Sequence, residues 1–245
     1  MIWIERWAEA SRAPTVTNRL KLLTHQLAMG GLDLLFPPHC IGCERVGSFL
    51  CPHCLATIQV PEERICPGLD GVCVAAEYDG VAGAAIRALK YDGQTRLAEP
   101  LGLLLARALR QTNWQIDLVV PVPLHDTRLA ERGYNQAKLI SLYTARALGL
   151  NVEPGAVRRV RNTSSQVNLS AQERRANVKG AFESNSELVT GRSILVVDDV
   201  LTTGATIAAC AEALRNAGAS RVYGATTAGA VFSPVPAAGD IGSPV

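Results

Sequence analysis

Between Val72 and Gly229 the chain alternates between two hydrophobic patterns. Short, nearly unbroken apolar runs are separated by longer segments in which apolar residues return every three or four positions. The runs "VCVAAEYDG" from Val72, "IDLVVPVP" from Ile116, "SILVVDD" from Ser193 and "SRVYGATTAG" from Ser220 read as strands, with a weaker one at "GAVRRVR" from Gly155. Short β-branched runs bounded by Gly, Pro or Asp are the usual signature of a buried strand. The segments "VAGAAIRALK" from Val81, "LAEPLGLLLARALR" from Leu97, "YNQAKLISLYTARALG" from Tyr134 and "ATIAACAEALRNAG" from Ala205 carry an apolar stripe at helical spacing. Gly149 supplies a C-terminal stop for the third. Strands alternating with helices predict an α/β fold with a parallel sheet, and in such sheets ligands collect at the C-terminal ends of the strands.

The flanks read differently. Leu20, Leu23 and Leu27 predict a helix over Asn18–Met29, ended by "FPPHC". Residues 40–54 are rich in Cys, and 55–72 form a connector with two prolines. Residues 162–180, "NTSSQVNLSAQERRANVKG", are strongly polar, and the last fifteen are rich in Pro, Gly and Ala. The most apolar N-terminal stretch, "LAMGGLDLLFPP", is short and interrupted by Asp33, so no membrane insertion is expected. The opening "MIWIERWAEASR" mixes acids with bases and lacks the basic start and uninterrupted apolar core of a secretory signal. A cytoplasmic location is therefore expected, and with it Cys residues that act as thiols or metal ligands. The net charge of +2 is too small to argue for nucleic-acid binding by itself.

The segment "SILVVDDVLTTGAT" concentrates the chemistry. An apolar run ends in two adjacent acids, Asp198 and Asp199, and Thr202, Thr203, Gly204, Ala205 and Thr206 follow before a helix. Amide groups at a helix start, three hydroxyls and a glycine make a phosphate cradle. The Walker A and dinucleotide patterns are both absent. Adjacent acids suit the paired hydroxyls of a sugar, or Mg²⁺ beside a phosphate. The plainer alternative is a Thr-capped helix after an ordinary strand, with both acids solvated.

"LVVDDVLTTGAT" resembles the phosphoribosyl-pyrophosphate (PRPP) motif of type I phosphoribosyltransferases. That resemblance implies a Rossmann-like parallel sheet with helices on both faces. It makes Asp198 and Asp199 the ribose-binding and catalytic acids, and Thr202, Thr203, Gly204, Ala205 and Thr206 the 5-phosphate loop. "LLFPPHCIGC", "ALKYDG", "PVPLHDTRLAERGYNQA" and "SQVNLSAQERRANVKGAF" are similar to the ComF/GntX family of competence-associated proteins within that superfamily. The likeness runs from about Leu34 to Ala228. It implies that Arg128 and Arg132 face the pyrophosphate. Residues 166–179 become a flap that closes over PRPP, with Arg174 and Arg175 as further cations. It also implies Mg²⁺ as cofactor and a place in nucleotide metabolism or DNA uptake. Hypoxanthine-guanine enzymes carry an acid at the first residue of the phosphate loop, where this chain has Thr202, so that class is disfavoured. No other general base is evident in the sequence.

Cys40, Cys43, Cys51 and Cys54 form C-x₂-C-x₇-C-x₂-C. Four thiolates make the closed tetrahedral set that structural Zn²⁺ prefers. The family's further C-x-x-C is broken here, where Cys66 is followed by Pro67, Gly68 and Leu69. The domain division expected is an N-terminal helical segment (1–39), a zinc-binding module and connector (40–71), a phosphoribosyltransferase domain (72–230) and a flexible tail (231–245).

Arg158, Arg159, Arg161, Arg174, Arg175 and Lys179 crowd one region. They read as a loop serving phosphates or as a strip for a nucleic-acid backbone. The aromatic content of 5% offers few stacking platforms for single strands. Two functions stay open. One is an enzyme that transfers phosphoribosyl from PRPP to a nitrogen acceptor. The other is a non-catalytic adaptor that handles single-stranded DNA or docks with competence-machinery proteins.

Overall fold

The structure, a computed structural model, describes residues 37–62, 64–161 and 171–230. The helix expected over Asn18–Met29, the tail from residue 231 and the first part of the expected flap lie outside the described residues. The chain divides into two compact units, residues 1–51 and 52–245. Among the described residues no helix is long and apolar enough to cross a membrane.

In the first unit, residues 37–51 form a tight knuckle. His39 and Val46 make an antiparallel bridge. The Cys40 amide donates to Arg45 O at 2.9 Å, and Ile41 N donates to Phe49 O at 3.0 Å.

The second unit opens with a short helix α1 (Pro52–Ala56) and continues through β1 (Gly71–Val74), α2 (Gly80–Tyr91), α3 (Ala98–Leu109) and β2 (Leu118–Pro121). Next come α4 (Asp126–Arg132), α5 (Gln136–Leu148), β3 (Val157–Arg159), α6 (Ala171–Val178), β4 (Phe182–Ser184) and α7 (Ser186–Val189). β5 (Ser193–Leu201), α8 (Ala205–Asn216) and β6 (Arg221–Gly229) complete it. β1, β6, β5 and β2 form one sheet in that order, and every neighbouring pair is parallel.

Strand alternation builds the two faces. Ile194 and Val196 of β5, with Leu118 and Val120 of β2, enter a core with Ile207, Cys210 and Leu214 of α8. Leu195 and Val197, at the alternate positions, are fully buried on the opposite face, the side where α3 and α5 pack against the sheet. Gly102 of α3 lets α5 come close, because a Cβ there would lie 2.7 Å from Tyr143 Cβ and 2.9 Å from Ile140 O. Asn135 caps α5 by accepting from Lys138 N, and Gly149 ends it in the left-handed region at φ 72°.

The parallel α/β sheet expected from the sequence is present. Two features depart from the reading. The weak strand at 155–161 does not join the main sheet; β3 pairs antiparallel with β4, with Arg158 opposite Glu183. β5 also continues past the acid pair, since Val200 and Leu201 pair with Ala228 and Gly229 of β6. The acids therefore sit inside the last ladder rungs of the strand.

Candidate functional site

Alternation along β5 separates the two acids. Asp199 is 3% exposed, and its Oδ2 lies 2.9 Å from Lys90 Nζ at the end of α2. Burial works to lower the Lys90 pKa, but the charges of Asp199 and then Asp198 outweigh it and raise it. Asp198 is partly exposed by area, and its Oδ1 accepts from Asp199 N at 2.9 Å. Burial first, and the Asp199 charge second, push its carboxyl up to about 7. Lys90 and Arg159 pull the other way without cancelling burial and the neighbouring acid.

A second cation acts on Asp198. Burial lowers the pKa of Arg159 on β3 first, with Cys210 and then Asp198 opposing and Arg128 adding to the fall. Its guanidinium packs over the Phe182 ring, 5.5 Å from the centroid. The cluster of basic residues at 158–161 thus splits three ways. Arg159 acts electrostatically on Asp198, Arg158 is held by Glu183 at 2.5 Å, and Arg161 donates to Asn177 O at 2.9 Å.

The turn after β5 is shaped for an anion. Thr202 is exposed and Thr203 is half-buried. Thr203 Oγ1 accepts from Ala205 N, at 3.4 Å. Gly204 is the N-cap of α8, in the left-handed region at φ 74°, ψ 0°. A Cβ there would stand 2.5 Å from Cys66 Sγ, whose thiol donates weakly to Gly204 O at 3.8 Å. Glycine is required on both counts, conformation and space. Cys66 is thus a prop beneath the loop, and burial raises its pKa, which keeps it a thiol. Thr206 is half-buried on the first turn of α8.

Arg128 and Arg132 lie on α4, the short helix after β2. Arg128 is exposed, with its Nε 3.9 Å from Glu131 Oε2. Arg132 donates to Gln136 Oε1 at 2.5 Å and covers the Tyr91 ring at 5.8 Å. Tyr134 OH donates to Leu89 O, and Asn135 Nδ2 donates to Val122 O at 2.9 Å. These contacts tie the segment after β2 to the Leu89–Tyr91 end of α2, so Lys90 and Arg132 belong to one wall. Arg174 and Arg175 fall on α6, and their side chains lie outside the described residues. Below α6, Val178 and Lys179 share a cavity of about 710 Å³ with Thr203, Gly204 and Ala205.

Sequence reasoning missed Lys90 and Cys66 as members of this site and did not single out Arg159 from the loop arginines read as serving phosphates. Lys90 stands in "ALKYDG", one of the segments that carry the family resemblance, so a signal was present. Arg159 was visible only as one of several basic residues, and Cys66 only as a broken pair.

The Cys40, Cys43, Cys51 and Cys54 sulfurs all lie within 4.8 Å of one another. Cys43 and Cys51 sulfurs are 3.6 Å apart. Tetrahedral Zn–S bonds of about 2.3 Å require sulfurs about 3.8 Å apart, so the donor set fits the metal. Burial raises the Cys40 thiol, but amides of Cys51, Gly42 and Cys43 outweigh it and bring its pKa down to about 6. Cys51 N donates to Cys40 Sγ at 3.3 Å. An amide-stabilised thiolate is the form zinc binds.

Comparison with known proteins gives the same two parts. The phosphoribosyl transferase domain matches residues 104–231, and the double zinc ribbon domain matches residues 31–77. Competence protein F of Haemophilus influenzae is 33% identical over 209 residues, 79% of this chain and 91% of the relative. DNA utilization protein YhgH of Escherichia coli K12 is 34% identical over 194 residues, 75% of this chain and 85% of the relative. Competence protein ComFC of Streptococcus pneumoniae is 29% identical over 185 residues, 73% of this chain and 80% of the relative. A parallel sheet ending in the acid pair and glycine turn, a four-sulfur cluster ahead of it, and relatives alike over most of their length lead to one conclusion: the chain belongs to the ComF/GntX family of zinc-ribbon proteins with a phosphoribosyl transferase domain.

Proposed function

We propose that the chain binds PRPP with Mg²⁺ and transfers its phosphoribosyl group to a nitrogen acceptor, with release of pyrophosphate. The observation that carries this reading is the conjunction at the end of β5. An acid pair, the left-handed Gly204 turn and the N-terminus of α8 follow one another within nine residues. The 5-phosphate takes the amides and hydroxyls of Thr202–Thr206, where helix partial charge favours an anion. Asp198 and Asp199 accept hydrogen bonds from the ribose hydroxyls. Lys90, now on Asp199, turns its ammonium to the diphosphate as the sugar takes its place. Arg128 and Arg132, with Arg174 and Arg175 of the flap, complete the cationic surroundings of the leaving group. Asp198 and Asp199 would also be the residues to hold Mg²⁺, which would supply further charge for the departing pyrophosphate. Positioning and electrostatic stabilisation carry such a reaction, and a closed flap keeps water from the electron-poor sugar carbon.

In this reading residues 72–230 are the transferase domain and residues 40–71 the zinc module and connector, with zinc supplying folding energy. The tail begins at 231, and the protein acts in the cytoplasm. Turnover is tested by pyrophosphate release from PRPP and Mg²⁺ across a set of nitrogen nucleophiles. Release with an acceptor supports transfer, and PRPP binding with no release across the set counts against it.

The names of the relatives favour a second reading, in which the PRPP site is a sensor and the protein is an adaptor for single-stranded DNA or competence-machinery proteins. Arg158 and Arg161 are already engaged locally, which weakens a free phosphate-binding strip. Salt-sensitive binding of single-stranded DNA that R158A and R161A reduce would favour the adaptor.

A further inference from the structure

A second cavity, of about 580 Å³, shares the Thr202–Gly204 edge of the phosphate loop and continues away from it to Glu62, Arg64 and Glu77. Its volume suits a ligand of one or two rings. Strand register fixes where it lies. Val74, Thr226 and Asp198 form one row across β1, β6 and β5. Glu77, Gly229 and Leu201 form the next, three residues on. At about 3.3 Å per residue, this second row lies ~10 Å beyond the acids, at the same end of the sheet.

The order β1-β6-β5-β2 sets the flanks. β2, with Arg128 and Arg132 after it, lies on one side of β5, and Glu77 on the other. Displacement at a saturated carbon needs nucleophile and leaving group on opposite sides, with their orbitals aligned. With pyrophosphate on the β2 flank, the nucleophile arrives from the Glu77 flank.

The lining says what kind of nucleophile fits. Arg64 Nη2 is committed to Ala230 O at 2.6 Å. Glu77 is held by its backbone, with its amide donating to Gln59 O at 2.8 Å. Its carboxylate makes no hydrogen bond or ion pair among the described residues. Ionised carboxylates accept from N–H donors and repel anions. We infer that this cavity is the acceptor subsite, that it takes an uncharged, amino-bearing nitrogen heterocycle, and that Glu77 accepts the proton of the nucleophilic nitrogen. The inference rests on the transfer reading above. In the step, the nitrogen lone pair forms the bond to the anomeric carbon. The bond from that carbon to the pyrophosphate oxygen breaks, and its electron pair leaves with pyrophosphate. The nitrogen's proton passes to Glu77.

The test uses the full, zinc-loaded chain with PRPP and Mg²⁺, and adenine, cytosine and orotate as probes. Pyrophosphate release is expected with adenine or cytosine and not with orotate, which carries its own carboxylate. E77Q should lower kcat about 100-fold, E77D should restore part of it, and both should keep PRPP affinity within about twofold by calorimetry. Release with orotate overturns the acceptor class. PRPP binding without release for either amino heterocycle, or an E77Q variant as fast as wild type, overturns the inference and leaves PRPP binding standing. A wild-type chain that binds no PRPP overturns both.

Discussion

Lys90 Nζ lies 2.9 Å from Asp199 Oδ2, so the second acid of the strand end already has a cation. Asp199 is almost wholly buried, while Lys90 keeps a quarter of its side chain exposed (25%). Removing one member of such a pair leaves an uncompensated charge, and partial exposure of the other softens the loss. K90A should therefore destabilise the chain by about 1–3 kcal/mol in urea unfolding. The double variant K90A/D199N should recover most of that loss. Equal losses in the single and double variants would show that the pair is not coupled.

Asp198 gives the pH dependence. Its carboxyl is raised to about 7, above an ordinary Asp near 3.9. Between those values the folded state holds more protons than the unfolded state, so stability falls as pH rises. The favourable contribution is complete below about pH 4 and lost once pH passes about 7. Ligand affinity runs the other way, because ribose hydroxyls and Mg²⁺ need the ionised acid. PRPP affinity should climb from pH 6 to pH 8 and then level off. D198N should raise Tm by a few degrees at pH 8 and make PRPP binding insensitive to pH over that range. Calorimetry and thermal melts at three pH values check both signs.

Gly204 separates conformation from space. G204A should cost about 1–2 kcal/mol for the left-handed backbone, and more for the contact its Cβ makes with Cys66 Sγ at 2.5 Å. Adding C66A should relieve the contact and leave the backbone cost. Chemical denaturation of G204A and G204A/C66A reads the difference.

The four-Cys cluster predicts about one zinc per chain by metal analysis. C43S or C54S should release it and expose residues 37–51 to limited proteolysis, because so short a segment has little core without metal. A metal-free chain with the same protection would contradict a structural zinc.

Much of this architecture was legible in the sequence because its signals are long or dense. The runs at 194–197 and 222–229 are buried throughout, and the four Cys declare their spacing directly. The three-residue strands β3 and β4 and the four-residue α7 have too few residues to show a period. β3 has only Val157 fully buried and pairs locally with β4, so nothing in its sequence separated it from the parallel strands. The extension of β5 through Val200 and Leu201 depends on its ladder with β6, a long-range partner that acidic residues disguise. Lys90 and Asp199 are over a hundred residues apart, and only the fold brings them together.

The central claim is that the end of β5 grips PRPP, and titration calorimetry with PRPP and Mg²⁺ tests it most directly. Wild type should bind, and D198N/D199N should lose at least about 100-fold in affinity, since two charged hydrogen-bonding groups at about 1.5–3 kcal/mol each are removed, while its circular dichroism stays unchanged. Undiminished affinity in the folded double variant would contradict the account.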